Sequence, residues 1–492
     1  MREDDAAGDQ MSAARHQQLA HYIDGMLVGG AAQLRRENPS DTRDVVATFP
    51  AGGQEVMESA VRAARAAFPE WADASPEVRA DCLDRIGDLL LDRREVLGTL
   101  LSREEGKTQP EGIGEVGRAG RIFKYFAGEA LRRNGQNLSS VRRGVDVATR
   151  REAVGVFGLI TPWNFPMAIP AWKTAPALAF GNCVVLKPSE QAPATAAALA
   201  EIVGEAGVPH GVFNMVFGLG ETGRLLAEHP DVDGLSFTGA QHTGAKVAAA
   251  AVARQARVQL EMGGKNPLVV LDDADLNRAV NCALDGAFFA SGQRCTASSR
   301  IIVTERIHDA FVATLAARTA DLRVGDARGP TTEIGPLVSQ SQLDKVLSYI
   351  DVAREEGARI VTGGERLQLE KPGWYFRPAL VSETTPQMRV NREEIFGPVA
   401  SIVRVRTYEE ALAAANAGQF GLSAGIVTNS LSHARHFSKN VRAGMVMINL
   451  PTAGVDYHVP FGGTRKSSYG PREQGFAAVS FYTQVKTEYL LA

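Results

Sequence analysis

The feature that most constrains this chain is a repeated alternation of short apolar runs with Ala-rich helical stretches. Near Gly155 a first series of runs begins, namely VGVFGLITP, NCVVLKPS, FNMVFG and GLSFTG. A second series begins near Asn266 with NPLVVL and continues through RIIVT, ARIVTGG and AGIVTNS. Strand, turn and helix repeated at this pace indicate parallel sheets with crossover helices. The sequence therefore predicts two α/β units, with active-site residues on the edges where they face each other.

The rest of the chain adds a tail, a helical region and two β segments. At 492 residues the chain is too long for a single core. Residues 1–20 predict a loosely held tail, and residues 55–125 carry apolar side chains at helical spacing. Residues 131–150 predict a hairpin outside either core, and residues 479–492, with VSFYTQVKTEYLL, predict a terminal strand. An apolar strand edge is a liability unless another subunit covers it, so we expect a homodimer or a homotetramer.

Charge and cysteine usage argue against several classes of protein. The net charge of −3 is spread along the chain, without the basic block that is typical of nucleic-acid binders. The first twenty residues contain no apolar stretch long enough for a signal-peptide core, and no later run approaches a membrane-spanning length. We therefore expect a cytoplasmic protein without membrane contact. Four cysteines, Cys82, Cys183, Cys282 and Cys295, lack CxxC spacing, which argues against a disulfide framework and a metal site.

Cys295 lies in the most specific segment, FFASGQRCTASSR at residues 288–300. A thiol acts as a nucleophile when its surroundings leave space for a substrate carbonyl and favour the thiolate. The alternative is a buried structural cysteine, which is the ordinary role of a lone cysteine. Cys82, Cys183 and Cys282 lie in apolar surroundings and keep that ordinary role.

Two further segments supply a carboxylate and an amide. Glu261 ends a strand-like run in LEMGGKNP, beside Gly263 and Gly264, where it can reach into a cleft; the alternative is a solvated surface glutamate. Asn164 lies in ITPWNFPMAIPAWK, whose prolines and aromatic residues would hold its amide rigidly. A rigid amide donor suits an oxyanion hole, although alone the segment could equally be a turn.

Together these segments resemble the aldehyde dehydrogenase superfamily over nearly the whole chain. The resemblance extends to KPSE at 187–190, FTGAQHTG at 237–244, EEIFGPV at 393–399 and PFGG at 460–463. It implies an α/β fold with a Rossmann-like NAD(P)-binding domain, formed by residues 21–130 and 151–262. It further implies an α/β catalytic domain at 263–462 and a small β oligomerisation element formed by 131–150 and 479–492.

The resemblance also decides how a dinucleotide would bind. GLGETG at 218–223 matches GxGxxG, but no carboxylate closes the following strand at the required distance, so this match alone is weak. The family instead implies NAD or NADP at a different set of residues. These are Ile160, Trp163, Asn164, Lys187, Ser189, Glu190, Gly223, Phe237, Gly239, Gly244, Glu394 and Phe396.

One departure from the family concerns the cofactor phosphates. Ala240 and Gln241 stand where the family usually has hydroxyl side chains, so phosphate binding would depend on backbone N–H groups at a helix start. Glu190 favours NAD because it accepts hydrogen bonds from both ribose hydroxyls and repels a 2′-phosphate. Relatives with KPSE often accept NADP too, and the preference stays open.

The mechanism that the resemblance implies is a covalent one. Cys295 attacks an aldehyde, Asn164 and the Cys295 N–H hold the oxyanion, and Glu261 deprotonates the water that hydrolyses the thioester. Lys173 and Glu473 match residues proposed to relay the proton away from Glu261. Because relatives that acylate coenzyme A generally lack a carboxylate at the position of Glu261, a hydrolytic enzyme is favoured.

The substrate is predicted from the closing segment, residues 449–475. It resembles a bacterial subgroup that oxidises 2-oxoglutarate semialdehyde (2,5-dioxopentanoate) to 2-oxoglutarate. A carboxylated substrate needs a cation, and Arg118 and Arg294 are candidates; each could equally pair with a nearby acid such as Glu115. The other predicted substrate contacts are Phe165, Thr296 and Phe461. Succinate semialdehyde, glutarate semialdehyde and aromatic aldehydes remain alternatives.

Two hypotheses from other classes are weaker. A non-catalytic binding relative would not need Cys295, Glu261 and Asn164 together. A cysteine hydrolase without cofactor would need a histidine partner for the thiol. No histidine of the chain shows a convincing local pairing with Cys295.

Overall fold

The computed structural model describes residues 16–30, 33–132 and 135–491. Its strands, in chain order, are β1 (Gln17–Gln18), β2 (His21–Ile23), β3 (Met26–Val28), β4 (Gln33–Asn38), β5 (Asp41–Pro50), β6 (Gln136–Ser139), β7 (Val145–Ala153), β8 (Val156–Ile160), β9 (Cys183–Lys187), β10 (Phe213–Met215), β11 (Gly234–Gly239), β12 (Arg257–Met262), β13 (Pro267–Val270), β14 (Arg300–Thr304), β15 (Arg359–Thr362), β16 (Ala379–Ser382), β17 (Val399–Val405), β18 (Ser423–Val427), β19 (Met445–Ile448), β20 (Ser468–Tyr469) and β21 (Thr483–Leu491).

The α-helices of the described residues are Gln54–Asp73, Pro76–Asp92, Arg94–Glu105, Gln109–Ala130, Ala168–Ala179, Pro193–Glu205, Gly220–Glu228, Gln241–Ala253, Leu276–Phe288, Glu305–Ala320, Gln340–Glu355, Arg389–Arg392, Tyr408–Asn416, Leu431–Asn440 and Val479–Tyr482. None of these is long and apolar enough to cross a membrane.

The first large sheet has the order β20-β12-β11-β8-β9-β10-β2-β3. Strands β8 to β12 are parallel, whereas β20, β2 and β3 pair antiparallel at the two ends. From β8 to β10 the strands follow one another across the sheet in one direction, and β11 then pairs with β8 on the opposite side. Ligands of doubly wound sheets bind outside the carboxyl ends of the strands at such a reversal. The α/β fold with a Rossmann-like domain is confirmed.

The second large sheet has the order β15-β16-β17-β14-β13-β18-β19 and is parallel except at β15. Only four residues separate the end of β12 at Met262 from the start of β13 at Pro267. The carboxyl end of the first sheet therefore continues almost directly into the amino end of the second. Buried apolar residues cover both faces of the second sheet.

A small antiparallel sheet, β21-β7-β6, lies apart from the two large ones. Its β21 pairs with β7 from Thr483 to Leu491 and exposes Val485, Tyr489 and Leu491. The sequence predicted a strand throughout VSFYTQVKTEYLL, but Val479–Tyr482 forms a helical turn. The reason is packing, since Phe481 and Tyr482 are buried in the hydrophobic core around the first large sheet.

The predicted tail, residues 1–20, lies mostly outside the described residues. Within its last five residues, Gln17–Gln18 pairs in parallel with β5.

Candidate active site

A cleft lies where the carboxyl ends of β8, β11 and β12 face the loops that precede β14 and β17. It contains about 780 Å³ of space between protein atoms, part of which is open to solvent. Of the residues predicted from sequence, it is lined by Trp163, Asn164, Gly239, Glu261, Cys295, Glu394, Phe396 and Phe461. The structure thus brings the thiol, the carboxylate and the amide into one cavity between the two sheets.

Cys295 lies in a loop at the cleft, and a strained turn precedes this loop. Ala290 and Ser291, which precede it, have positive φ angles of 50° and 53°. Such conformations in residues other than glycine are costly and persist only where the surroundings enforce them. Here Glu111 accepts a hydrogen bond from the Ala290 N–H at 2.7 Å, and the Ser291 hydroxyl donates to the Gly335 carbonyl at 2.8 Å.

The Cys295 thiol is partly buried, and its surroundings favour the protonated form. Burial raises the pKa of Cys295 to about 12, and the carboxylates of Glu394 and Glu261 add to the rise. The resting thiol is therefore neutral at pH 7. It can become a nucleophile only when a base or a positive charge is brought beside it.

Asn266, which sequence reasoning missed, holds the main chain of this loop. Its side-chain amide donates to the carbonyls of Cys295 and Ala297 at 2.8 and 3.0 Å, and its oxygen accepts from the Ser423 N–H at 3.0 Å. The residue stands in the LEMGGKNP segment, and that was the only signal that could have identified it.

Asn164 is buried and anchored on both its side chain and its main chain. Its side-chain amide donates to the Gln293 carbonyl at 3.0 Å, and its own carbonyl accepts from Lys107 Nζ at 2.7 Å. Lys107 also pairs with Glu115 at 2.6 Å, and Glu115 accepts from the N–H groups of Met167 and Ala168. Lys107 and Glu115 therefore fix the segment that carries the amide, and neither was predicted for this role.

Glu261 is at the end of β12 and is buried, with an exposed fraction of 2%. Its Oε2 accepts from the Ser468 hydroxyl, whereas Oε1 has no hydrogen-bond partner among the described residues. Burial raises the pKa of Glu261 well above its ordinary value, and the nearby Glu473 carboxylate raises it further. A carboxyl group with a raised pKa can act as a general base near neutral pH.

Lys173 and Glu473 form a buried ion pair behind Glu261. The Lys173 ammonium also donates to the Ser236 hydroxyl at 2.8 Å, and Ser236 lies 3.1 Å from Oε1 of Gln259. These groups form one connected polar cluster. Ser236 and Gln259 were not predicted from the sequence.

The remaining predicted residues of the cleft region divide into two groups. Glu394 accepts from the Gly264 N–H at 2.9 Å, and the Phe396 ring stands edge-on to Trp163 at 5.4 Å. Phe165 lies under the Lys107 ammonium, and Thr296 is nearly buried; neither is among the described residues that line the cleft.

The structure separates the two candidate arginines. The Arg118 guanidinium lies over the Trp172 ring at 5.8 Å and donates to the Gln474 side-chain oxygen at 3.3 Å, while its Nε has no partner among the described residues. Arg294 instead donates to the carbonyls of Asp285 and Gly286 and pairs with the Asp285 carboxylate at 3.6 Å. Its guanidinium is thus held at the end of helix Leu276–Phe288, although its Nε also has no partner among the described residues. Neither arginine is among the described residues that line the cleft.

A long groove continues from the cleft along the first sheet. Pro162, Trp163, Thr238, Gly239 and Ala240 line both cavities. The predicted cofactor residues that line the groove are Ile160, Trp163, Lys187, Ser189, Glu190, Gly223, Phe237 and Gly239. Gly244 does not line it; a Cβ there would lie 2.6 Å from the Met262 sulfur, so this glycine allows close packing of its helix.

The groove fits a dinucleotide chemically. Helix Gln241–Ala253 begins beside it without a side-chain cap, so its first N–H groups can bind phosphate oxygens. Lys187 and Glu190, 3.6 Å apart, offer a donor and an acceptor to a ribose. Thr243 and Lys246 also line the groove and supply a hydroxyl and a cation, which the sequence analysis did not identify.

Comparison with known proteins gives consistent matches. Residues 28–488 match the Aldehyde dehydrogenase family. An alpha-ketoglutaric semialdehyde dehydrogenase of Bacillus subtilis is 43% identical, over 96% of this chain and 97% of that protein. A betaine aldehyde dehydrogenase of Sinorhizobium fredii is 41% identical, over 96% and 97%. The crystal structure of betaine aldehyde dehydrogenase from Staphylococcus aureus in complex with NAD⁺ has a TM-score of 0.95 at 34% identity, over 98% and 97%.

Proposed function

Because the chain belongs to the aldehyde dehydrogenase family, an NAD(P)-dependent family of enzymes, we propose that it oxidises 2-oxoglutarate semialdehyde to 2-oxoglutarate. We propose Cys295 as the covalent nucleophile and Glu261 as the base that activates water. The observation that carries this proposal is the single cleft that contains both side chains together with the Asn164 amide.

In the proposed reaction the Cys295 thiol first releases its proton to solvent. The resulting thiolate bonds to the aldehyde carbon, and the Asn164 amide and the Cys295 N–H stabilise the oxyanion. The nicotinamide dinucleotide, when bound, accepts the hydride that leaves this carbon. Glu261 then takes a proton from water, whose oxygen replaces the sulfur and releases the acid. Lys173 and Glu473 carry the proton onward from Glu261.

The residues along the groove match the successive parts of an NAD(P) molecule. We propose that Lys187 and Glu190 bind the adenosine ribose, that the start of helix Gln241–Ala253 binds the phosphates, and that Glu394 and Phe396 position the nicotinamide end. A Glu190 carboxylate favours the 2′-hydroxyl of NAD over the 2′-phosphate of NADP by charge.

Arg118 supports a carboxylated substrate. Its guanidinium lies over Trp172, a residue that lines the cleft, and its Nε–H has no partner among the described residues. An arginine is suited to bind a carboxylate through two parallel hydrogen bonds. The Gln474 side-chain oxygen accepts a hydrogen bond from one nitrogen of this guanidinium and would orient it toward the carboxylate. We propose no substrate contact for Arg294, because its guanidinium donates to carbonyls at the end of helix Leu276–Phe288.

The alternative substrate is betaine aldehyde, named for relatives at 40–41% identity. Trp172 and Phe461 line the cleft with ring centroids 5.5 Å apart, and aromatic faces attract quaternary ammonium groups. The fixed positive charge of Arg118 beside Trp172 opposes such a ligand, so we favour the anionic aldehyde.

The test is a substrate panel with matched arginine variants. The wild type should have its highest kcat/KM with 2-oxoglutarate semialdehyde, and Arg118→Met should raise KM for it about 10- to 100-fold more than for a neutral aldehyde of equal length. Arg294→Met is the control and should not discriminate between the two aldehydes. A preference of the wild type for betaine aldehyde, or equal effects of Arg118→Met on both aldehydes, would contradict the substrate assignment.

We also propose that the small sheet, with residues 131–150 and 479–492, is an oligomerisation element of a homodimer or homotetramer in the cytoplasm. The apolar side chains that β21 exposes support this assignment. Residues 21–130 with 151–262, and 263–462, are the proposed cofactor and catalytic domains.

A further inference from the structure

The general base Glu261 has a fixed partner, Ser468, in a neighbouring strand. Strands β12 and β20 pair antiparallel, and Glu261 stands directly opposite Ser468. Directly opposed residues of an antiparallel pair project their side chains on the same side of the sheet. The Ser468 hydroxyl reaches Oε2 of Glu261 in this arrangement.

A second contact favours one direction for this hydrogen bond. The Gly463 N–H donates to Ser468 Oγ at 2.6 Å, and the Arg472 guanidinium holds the Gly463 carbonyl. Because a backbone amide already uses an acceptor position of the oxygen, the Ser468 hydrogen is free to point at the carboxylate. The bond is thus directed from the serine to the glutamate.

The other carboxylate oxygen is left unengaged. Oε1 of Glu261 has no partner among the described residues, and the backbone of Gly462 passes so close that a Cβ there would lie 2.6 Å from it. We propose that Ser468 is a positioning residue for the base: its hydroxyl holds Oε2 and leaves Oε1 as the oxygen that takes the proton from water. This inference rests on the proposed role of Glu261.

The same bond sets the pH range in which Glu261 works. The charged groups near Glu261 are Glu473, Lys173 and Arg472, and the titratable Cys295 thiol also lies near it. Against the rise caused by burial and Glu473, the hydrogen bond from Ser468 lowers the pKa of Glu261 because it stabilises the carboxylate. Removing the hydroxyl should raise this pKa, and the base is then protonated over a wider acidic range.

The experiment measures hydrolysis of the acyl-enzyme directly. Enzyme, NAD⁺ and semialdehyde are mixed, the reaction is quenched with acid at intervals, and intact-mass spectrometry counts the thioester on Cys295 across a pH series. Ser468→Ala should form the thioester as the wild type does. The acid limb of its pH profile for thioester hydrolysis should lie about one pH unit higher, so that hydrolysis at a pH below the limb is about tenfold slower than in the wild type. Ser468→Thr, which keeps the hydroxyl, should restore the wild-type limb.

Thr464→Val is the matched control. The Thr464 hydroxyl bonds carbonyls of Gly421 and Arg442 in the same loop without contact to Glu261, so its loss should leave the limb unmoved. An unshifted limb in Ser468→Ala, a threonine variant that behaves like alanine, or failure of Ser468→Ala to form the thioester would overturn the inference. Wild-type hydrolysis in Glu261→Gln would instead overturn the proposed function, whatever Ser468 does.

Discussion

The side-chain amide of Asn266 donates a hydrogen bond to the carbonyl oxygen of Cys295 at 2.8 Å. Asn266 ends the loop that follows Glu261, so the segment that carries the proposed base also fixes the main chain of the proposed nucleophile. The Cβ of any side chain at Gly264 would lie 2.9 Å from the same carbonyl, which explains the glycine between them. The two segments that carry Glu261 and Cys295 are therefore one packed unit.

Replacing Asn266 with alanine should destabilise this unit. The change leaves two carbonyls and the Ser423 N–H without partners in a buried position, and unsatisfied buried groups cost about 1–3 kcal/mol each. We expect the free energy of unfolding, measured by urea titration, to fall by about 3 kcal/mol, with a lower kcat. Asn281→Ala, at an exposed helical site, serves as control, and an equal loss there would refute the explanation.

Lys107→Met should destabilise the protein through Glu115. Both side chains of the Lys107–Glu115 ion pair are buried, so the methionine would leave the Glu115 carboxylate without its partner charge inside the protein. Breaking a buried pair from one side costs about 3–5 kcal/mol, whereas an exposed pair contributes about 0–1 kcal/mol. Urea titration of Lys107→Met and of Arg377→Met, which breaks the exposed pair with Glu365, compares the two cases. Equal stability of both variants would argue against a buried, charged Glu115.

Alkylation of Cys295 in the cofactor-free enzyme should depend steeply on pH. Since burial raises the pKa of Cys295 to about 12, the thiol is protonated throughout the neutral range, and only the thiolate reacts. The rate with iodoacetamide should rise about tenfold per pH unit without a plateau below about pH 10. Peptide mass spectrometry resolves Cys295 from the other three thiols. A plateau near pH 7 would indicate a preformed thiolate.

Much of this fold could be predicted from the sequence because its strands are buried on both faces. Such strands appear as continuous apolar runs, and NPLVVL and RIIVT become β13 and β14 as expected. The terminal run failed at Val479–Tyr482, where apolar residues alone could not distinguish a strand from a helical turn packed on the core.

The positioning residues of the site could not be predicted in the same way. Lys107 contacts Asn164 across 57 residues, and Ser468 contacts Glu261 across 207. Each is an ordinary polar residue in its local sequence, and only the folded chain supplies its partner. The choice between Arg118 and Arg294 was likewise undecided, because the carbonyls that hold Arg294 belong to a helix end whose position the sequence does not specify.

Cys295 is proposed to carry the acyl group, and Glu261 to activate the water that releases it. The most direct measurement is rapid mixing of Glu261→Gln with semialdehyde and excess NAD⁺, with reduced cofactor recorded over time. We predict a burst of one reduced cofactor per active site, followed by turnover slower than that of the wild type by about 100-fold or more, with a thioester mass on Cys295. Steady turnover at the wild-type rate, without a burst and without modified Cys295, would contradict the account.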